Sequence, residues 1–433
     1  MKVGFISLGC SKNLVDTEMV IGLFEKNKFE IINNPAEAEM IIINTCGFIE
    51  SAKEEAINTI LEMAEYKKKK CKYLIAMGCL VQRYKEDLEK AIPEVDLFLN
   101  IDEYENIWEK VEELLSFKSE NKENNLDYID RKITTGNTMA YLKIAEGCSN
   151  KCTYCAIPYI RGPFVSRKME DILIEAKKLA KNGIKEIIVI AQDTTKYGID
   201  IYGEPKLEEL LNELCKIEEF KWIRFLYAYP ETITDELIEV VKNNDKICKY
   251  FDMPIQHISN SVLKRMNRKS DEESIKRVIK KIRKEIPNVI LRTTLIVGFP
   301  GETEEDFEKL YNFVEETKFD KLGAFMYSKE DGTPAARLKE QIHHATKKRR
   351  YKKIMELQKE ISNKNLNSKI GNTYLTLIEN ESFDKKYYIG RSYMDVPDMD
   401  GVIYIKNTKP NLIGKFVNCK IVDVNEYDLI GEI

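Results

Sequence analysis

The sequence has no apolar run approaching the ~20 residues that cross a bilayer, so a membrane-spanning chain is not expected. Its opening, MKVGFISLGCSKN, lacks the long apolar stretch and small-residue cleavage site of a secretory leader. That points to the cytoplasm. Positive charge is not in excess either. The formal net charge is −4, which excludes a molecule that is basic overall and binds nucleic acid through bulk charge. Hydrophobic residues make up 43% and charged residues 32%, as in a globular protein, and 433 residues exceed one ordinary core, so two or three domains are expected. Against these absences stand ten cysteines. In a cytoplasmic chain they argue for metal or redox use rather than disulfides.

Residues 146–162, EGCSNKCTYCAIPYIRG, organise the rest. Cys148, Cys152 and Cys155 stand at C-x3-C-x2-C, with Tyr154 before the last. No fourth thiol lies nearby. Structural zinc wants four ligands, commonly as two pairs, and an ordinary iron–sulfur cluster wants four cysteines. Three close thiols imply a cluster with one iron left open, the plainer readings being a partial zinc knuckle or reduced thiols by chance. MAYLKIAEG before the motif reads as a strand ending in a glycine turn. Pro158 and Gly162–Pro163 after it forbid an immediate helix.

Over 1–118, strand-like runs (VGFISLGC, EMIIINTC, YLIAMGC, VDLFLN) alternate with helical patterns near 14–27, 51–66, 82–92 and 102–116. This predicts a parallel sheet covered on both faces. Cys10, Cys46 and Cys79 each fall at the C-terminal end of a strand, where ligand sites of open α/β sheets lie. Strand phase therefore brings the three to one edge. One such cysteine would read as a small buried hydrophobe; three in phase, beside Gly9, Thr45, Gly47 and Gly78, do not. Cys71, Cys215, Cys248 and Cys419 read as packing residues. Residues 119–137 are polar and read as a linker.

Over 138–366, strands at 139–145, 186–192, 222–228, 248–253, 289–297 and 322–327 are separated by helical patterns near 169–182, 205–216, 233–243, 259–285 and 303–317. That makes a partial (βα)6 barrel, whose active site belongs at the C-terminal strand ends. AQDTTKYG with Gln192, DMPIQH with His257 and TTLIVGFPGETEEDF with Gly298 fall there. Thr303 is placed to cap the following helix, with Asp306 in its first turn. The basic segment 343–362 carries Ile354, Leu357 and Ile361 on one face and is expected to pack on the barrel, a contact with ribosomal RNA or tRNA being the alternative. Over 367–433, short runs broken by Gly, Pro and Asn predict a five-stranded β barrel. From 370 onward it holds ten acidic and seven basic residues, a sign that suits a basic protein partner better than phosphate.

The cysteine stretch resembles the signature of the radical S-adenosylmethionine (SAM) enzymes. With the N-terminal cysteines and a tail similar to the TRAM domain, the whole chain resembles the methylthiotransferases of that class. Within them, SLGCSKNLVDTE, DMPIQHIS, GRSYMDVPDMDG and the acidic tail favour the branch acting on ribosomal protein uS12 over the branch acting on tRNA adenosine. The resemblance implies two [4Fe–4S] clusters. One, on Cys148, Cys152 and Cys155, would bind and cleave SAM to a hydrogen-abstracting radical. The other, on Cys10, Cys46 and Cys79, would hold the transferred sulfur. It implies a methylthio group placed on the β-carbon of an aspartate of uS12, free or in the small ribosomal subunit. An electron donor such as flavodoxin or ferredoxin and a sulfur source are implied as partners. The strand ends would line the SAM pocket, giving Tyr154, Gln192, His257 and Gly298 as SAM-binding candidates, with no catalytic residue beyond the cluster ligands. The competing readings are a tRNA methylthiotransferase, a radical SAM enzyme whose second cluster only carries electrons, and a zinc-stapled RNA-binding protein.

Overall fold

The computed structural model describes residues 1–118 and 125–433. The first unit runs β1 (Lys2–Ser7), α1 (Ser11–Lys26), β2 (Glu30–Ile32), β3 (Met40–Thr45), α2 (Glu50–Ala64), β4 (Tyr73–Gly78), α3 (Cys79–Ala91), β5 (Leu97–Leu99) and α4 (Ile107–Leu115). Its sheet is wholly parallel, in the order β2-β1-β3-β4-β5. Alternate residues of β3 explain the cover on both faces. Met40 and Ile42 join Phe24 and Trp108 on one side, and Ile41 and Ile43 join Ile60 and Leu80 on the other. The four expected strands are all present, and the short edge strand β2 is an addition.

The central unit holds β6 (Met139–Lys143), β7 (Ala145–Glu146), α5 (Ile157–Ile160), β8 (Val165–Ser166), α6 (Met169–Lys181), β9 (Glu186–Ile190), α7 (Ile199–Tyr202), α8 (Leu207–Cys215) and β10 (Trp222–Phe225). It continues through α9 (Asp235–Asn243), β11 (Tyr250–Asp252), α10 (Asn260–Arg265), α11 (Glu272–Glu285), β12 (Ile290–Val297), α12 (Glu304–Thr317), β13 (Lys321–Met326) and α13 (His344–Asn367). Six parallel strands follow chain order as two triplets joined by a parallel bridge between Ile223 and Ile247. This is the expected partial barrel. The pattern over 259–285 is two helices rather than one: the chain breaks after α10, Asn267 turns left-handed at φ 56°, and Asp271 caps α11. Thr303 caps α12, accepting the Asp306 N–H at 3.1 Å, as its sequence position predicts. Helix α13 lays Ile354, Leu357 and Ile361 into the core around the barrel, the packing role expected of it. None of the described helices is long and apolar enough to cross a membrane.

The tail forms a closed barrel, β14 (Thr373–Glu381), β15 (Tyr387–Arg391), β16 (Ile403–Lys406), β17 (Phe416–Asn425) and β18 (Asp428–Glu432), in the order β14-β15-β16-β18-β17. It docks at the strand starts, the end of the barrel away from the cysteine loop. Glu186, fully buried where β9 begins, accepts from Arg224 Nε at 3.1 Å and from Arg391 Nη2 at 2.6 Å. Lys321 pairs with Asp395 at 2.7 Å, and Tyr250 donates to Asp400 at 2.7 Å. So part of the tail's acidity is spent inside the molecule, and GRSYMDVPDMDG supplies much of the docking loop. Burial pushes the Glu186 carboxyl up, but Arg391 and Arg224 outweigh it and hold the group ionised. Glu186→Gln leaves the buried Arg224 without a counter-charge among the described residues, and Arg391 with Glu379 alone. We expect a loss of about 3–5 kcal/mol in thermal unfolding and faster proteolytic release of residues 367–433.

Of the linker, 119–124 lie outside the described residues. The rest is bolted down. Arg131, buried, donates to Glu175 at 3.0 Å and also to Glu18, while the Thr134 N–H reaches Glu18 at 2.7 Å. A Cβ on Gly22 of α1 would meet the Asp130 carbonyl at 2.4 Å, so helix and linker touch backbone to backbone. Polar composition reads as a loose connection, whereas here the charges are satisfied across a contact.

Candidate iron–sulfur active site

The N-terminal cysteines gather where their strands end. Cys10 precedes the first turn of α1, Cys46 follows β3 directly, and Cys79 opens α3. Strands β1, β3 and β4 are neighbours, so the three loops share one edge. Two glycines make this approach possible. A Cβ on Gly9 (φ +89°) would lie 2.9 Å from Cys46 Sγ, and one on Gly78 (φ +101°) 2.2 Å from Asn44 Oδ1. Asn13 then clamps the loops. Its amide donates to the Leu8 carbonyl at 3.1 Å and the Thr45 carbonyl at 2.9 Å, and its Oδ1 accepts from the Cys79 thiol at 3.3 Å. Burial pushes the Cys79 thiol up to about 11.

The second trio lies at the mouth of the barrel. The antiparallel pair β7–β8 pinches the base of its loop. Cys148 N–H donates to the Gly162 carbonyl at 3.1 Å, and a Cβ on Gly147 would strike the Pro163 carbonyl at 2.0 Å. The loop is pinned to later strand ends. Asn150 donates to the fully buried Asp193 at 2.8 Å, and the Thr153 N–H donates to the Met266 carbonyl at 3.0 Å. Burial raises the thiols of Cys148 and Cys155. Cys71, Cys248 and Cys419 are buried apart from both groups, as packing residues should be.

The two trios are neighbours. Cys79 packs against Ala156 and Ile160, and Ala156 is the residue after Cys155. A charged bridge runs along the same contact. Arg161 Nη2 lies 3.4 Å from Cys79 Sγ, and its Nη1 reaches Asp16 at 2.5 Å and Glu146 at 3.1 Å. Lys143 also pairs with Asp16 and Glu146, and Gln192 donates to Glu146 at 2.7 Å. At the rim, Glu330 takes Arg83 at 2.9 Å and Lys53 at 3.3 Å, tying the first unit to the barrel.

Among the described residues no three Cys, His, Asp or Glu side chains close around a single ion. A cubane asks for less, since each thiolate ligates a different iron. Among the buried side-chain atoms without a hydrogen-bond partner around the barrel mouth are Gln192 Oε1, Glu231 Oε2, Arg268 Nε and His257 Nε2. Arg268 is 3.7 Å from Glu231, 4.2 Å from the Tyr229 ring centroid and 3.9 Å from Cys152 Sγ. A zwitterion with an amino and a carboxylate group suits that set. Of the four sequence candidates, Tyr154 and Gln192 are at the cysteine loop, Tyr154 half-buried against Met266, Phe299 and Tyr327. His257 is fully enclosed, its Nδ1 accepting the Ser259 N–H at 3.0 Å, and burial pulls it down to about 3, so it stays neutral. Gly298 lends its N–H to Glu302 inside the turn. Glu231, Arg268, Arg161 and Asn13 escaped the sequence reading. YPE after the third barrel strand, an acid where a parallel strand ends, was the available signal for Glu231.

Two neighbouring groups of three cysteines, one on the loop at the mouth of a parallel (βα)6 barrel, fit the radical SAM class. Family profiles agree: "Radical SAM superfamily" matches residues 142–314, "Uncharacterized protein family UPF0004" residues 2–100 and "TRAM domain" residues 370–433. A solved radical S-adenosylmethionine methyltransferase, TsrM from Kitasatospora setae, shares the fold at TM-score 0.59 and 12% identity, over 77% of this chain and 76% of that one. Ribosomal protein uS12 methylthiotransferase RimO of Alkaliphilus oremlandii is 69% identical, covering 100% of this chain and 99% of its own length. The protein of the same name from Acetivibrio thermocellus is 51% identical over 100% and 98%. The chain belongs to the uS12 methylthiotransferase family.

Proposed function

We propose that this chain transfers a methylthio group to the β-carbon of an aspartate of ribosomal protein uS12, in the cytoplasm, using two [4Fe–4S] clusters and SAM. The observation that supports the reading is the contact of Cys79 with Ala156 and Ile160, which brings the two trios side by side. An aliphatic C–H has no useful acidity, so no general base serves here. When bound, SAM and the clusters supply the radical and the sulfur.

The chain's own residues bind, orient and enclose. Cys148, Cys152 and Cys155 hold the cluster at the barrel mouth. Tyr154, Gln192, Arg268 and Glu231 would hold SAM, Arg268 as donor to its carboxylate and Glu231 as acceptor for its amino group. Gly298 and His257 shape the pocket from the strand ends, His257 from behind. Cys10, Cys46 and Cys79 hold the sulfur-bearing cluster, with Asn13 fixing their loops. Segments 1–118, 138–366 and 367–433 serve as sulfur site, SAM site and docking module. An electron donor of the flavodoxin or ferredoxin kind and a source of sulfur complete the system. Family membership counts against tRNA as substrate.

Deleting the gene in its own host and measuring uS12 peptides and tRNA nucleosides side by side tests this. The expected result is loss of a methylthio mass from one uS12 aspartate with tRNA unchanged. Loss of methylthio-adenosine instead would overturn the assignment.

A further inference from the structure

Eight lysine and arginine side chains are buried among the described residues. Seven sit in ion pairs. Lys12 is the exception. It is 7% exposed and has no carboxylate within pairing distance among the described residues; its ammonium lies 3.3 Å from the centroid of the Tyr227 ring. A cation–π contact offsets only part of what an ammonium loses on leaving water. Nature rarely leaves such a group unpaired unless a ligand completes it.

Its place says which ligand. Lys12 sits on the first turn of α1, two residues after Cys10. Tyr227 follows β10 at the mouth of the barrel and is held in the left-handed region (φ 62°), its N–H on Asp252 at 3.0 Å. A non-glycine residue kept there is strained, and such strain gathers at functional sites. The free charge therefore stands between the sulfur-holding cysteines and the SAM side, where the substrate carbon has to enter. We propose that Lys12 anchors the side-chain carboxylate of the aspartate being modified, an assignment that rests on the uS12 reading above. The carboxylate is one bond from the β-carbon, so holding it presents the C–H to be broken. Tyr227 is the platform that keeps the ammonium in place until the substrate arrives.

The test uses cluster-loaded enzyme and fluorescently labelled uS12, either with its target aspartate or with asparagine in its place. Wild type is expected to bind the aspartate form about tenfold or more tightly than the asparagine form, as a charge-assisted bond would give. Lys12→Met, which keeps the stem over Tyr227, is expected to bind both forms within about twofold of each other, and Lys12→Arg to restore most of the preference. Iron content is measured on each variant. A Lys12→Met enzyme that still prefers aspartate would falsify the assignment. So would loss of iron from both variants, which would make Lys12 a structural support of Cys10. If wild type leaves uS12 unmodified, the functional reading itself fails, and that arm contains no substitution at Lys12.

Discussion

Replacing Cys148, Cys152 and Cys155 by alanine will lower the iron content from about eight to about four per chain and abolish formation of 5′-deoxyadenosine from SAM. Replacing Cys10, Cys46 and Cys79 will remove a similar amount of iron, leave SAM cleavage in place and abolish methylthio product. The difference follows from position. The first trio lies on a loop pinned to Asp193 and Met266, beside Arg268 and Glu231, a pair whose Nε and Oε2 lack hydrogen-bond partners and suit the ends of SAM. The second lies on the sheet edge beyond Asn13, with Lys12 two residues after Cys10. Iron assay, chromatography of the nucleoside and peptide mass spectrometry read the three quantities separately. Zinc in place of iron, or SAM cleavage that survives loss of the first trio, would sink the two-cluster reading.

Arg161→Met is expected to affect both the stability of the fold and the N-terminal cysteine site. The side chain is 2% exposed and holds Asp16 and Glu146 together with Lys143. Removing it leaves a surplus negative charge underneath, at about 3–5 kcal/mol. Burial pushes the Glu146 carboxyl up, but Lys143 and Arg161 outweigh it and hold the group below its ordinary 4.5. An acid lowered in this way stabilises the fold above its unfolded pKa, and that contribution drains away as pH falls towards the folded value. Without Arg161 the drain begins at higher pH, so acid unfolding monitored by circular dichroism should start earlier. Arg161 also lies 3.4 Å from Cys79 Sγ. Losing a donor and a positive charge there should move the reduction potential of the N-terminal cluster to more negative values in an EPR titration. An unchanged potential together with unchanged acid stability would show that the bridge carries no weight.

The grouping of the six cysteines was legible because a loop motif and strand ends leave local marks: a spacing of three and two in one loop, and a cysteine in the same phase of three parallel strands. The barrel and the tail were legible for the same reason, through period and turn chemistry. What joins the units was not. Arg161 meets Asn13 across 148 positions and Lys143 meets Asp16 across 127, and no periodicity records such a pairing. Arg268 was hidden for another reason: it lies in a break that reads as the middle of one helix over 259–285. The tail's acidity was counted correctly in the sequence, but a count does not separate Asp395 and Asp400, which face inward, from Asp398, which is exposed.

Val15 and Met19 of α1, Tyr141 and Ile188 of the barrel strands, and Leu377, Tyr388 and Ile403 of the tail belong to one apolar core. The three segments are therefore not beads on a string. A chain cut before the tail would present Trp222 and Tyr250 to water and loosen the seat of α1, and with it the loop that carries Cys10 and Lys12. Cooperativity of this kind makes the far end of the molecule a determinant of how tightly the N-terminal cysteine loops are held. Evolution at the docking surface and evolution at the reacting centre are then constrained together.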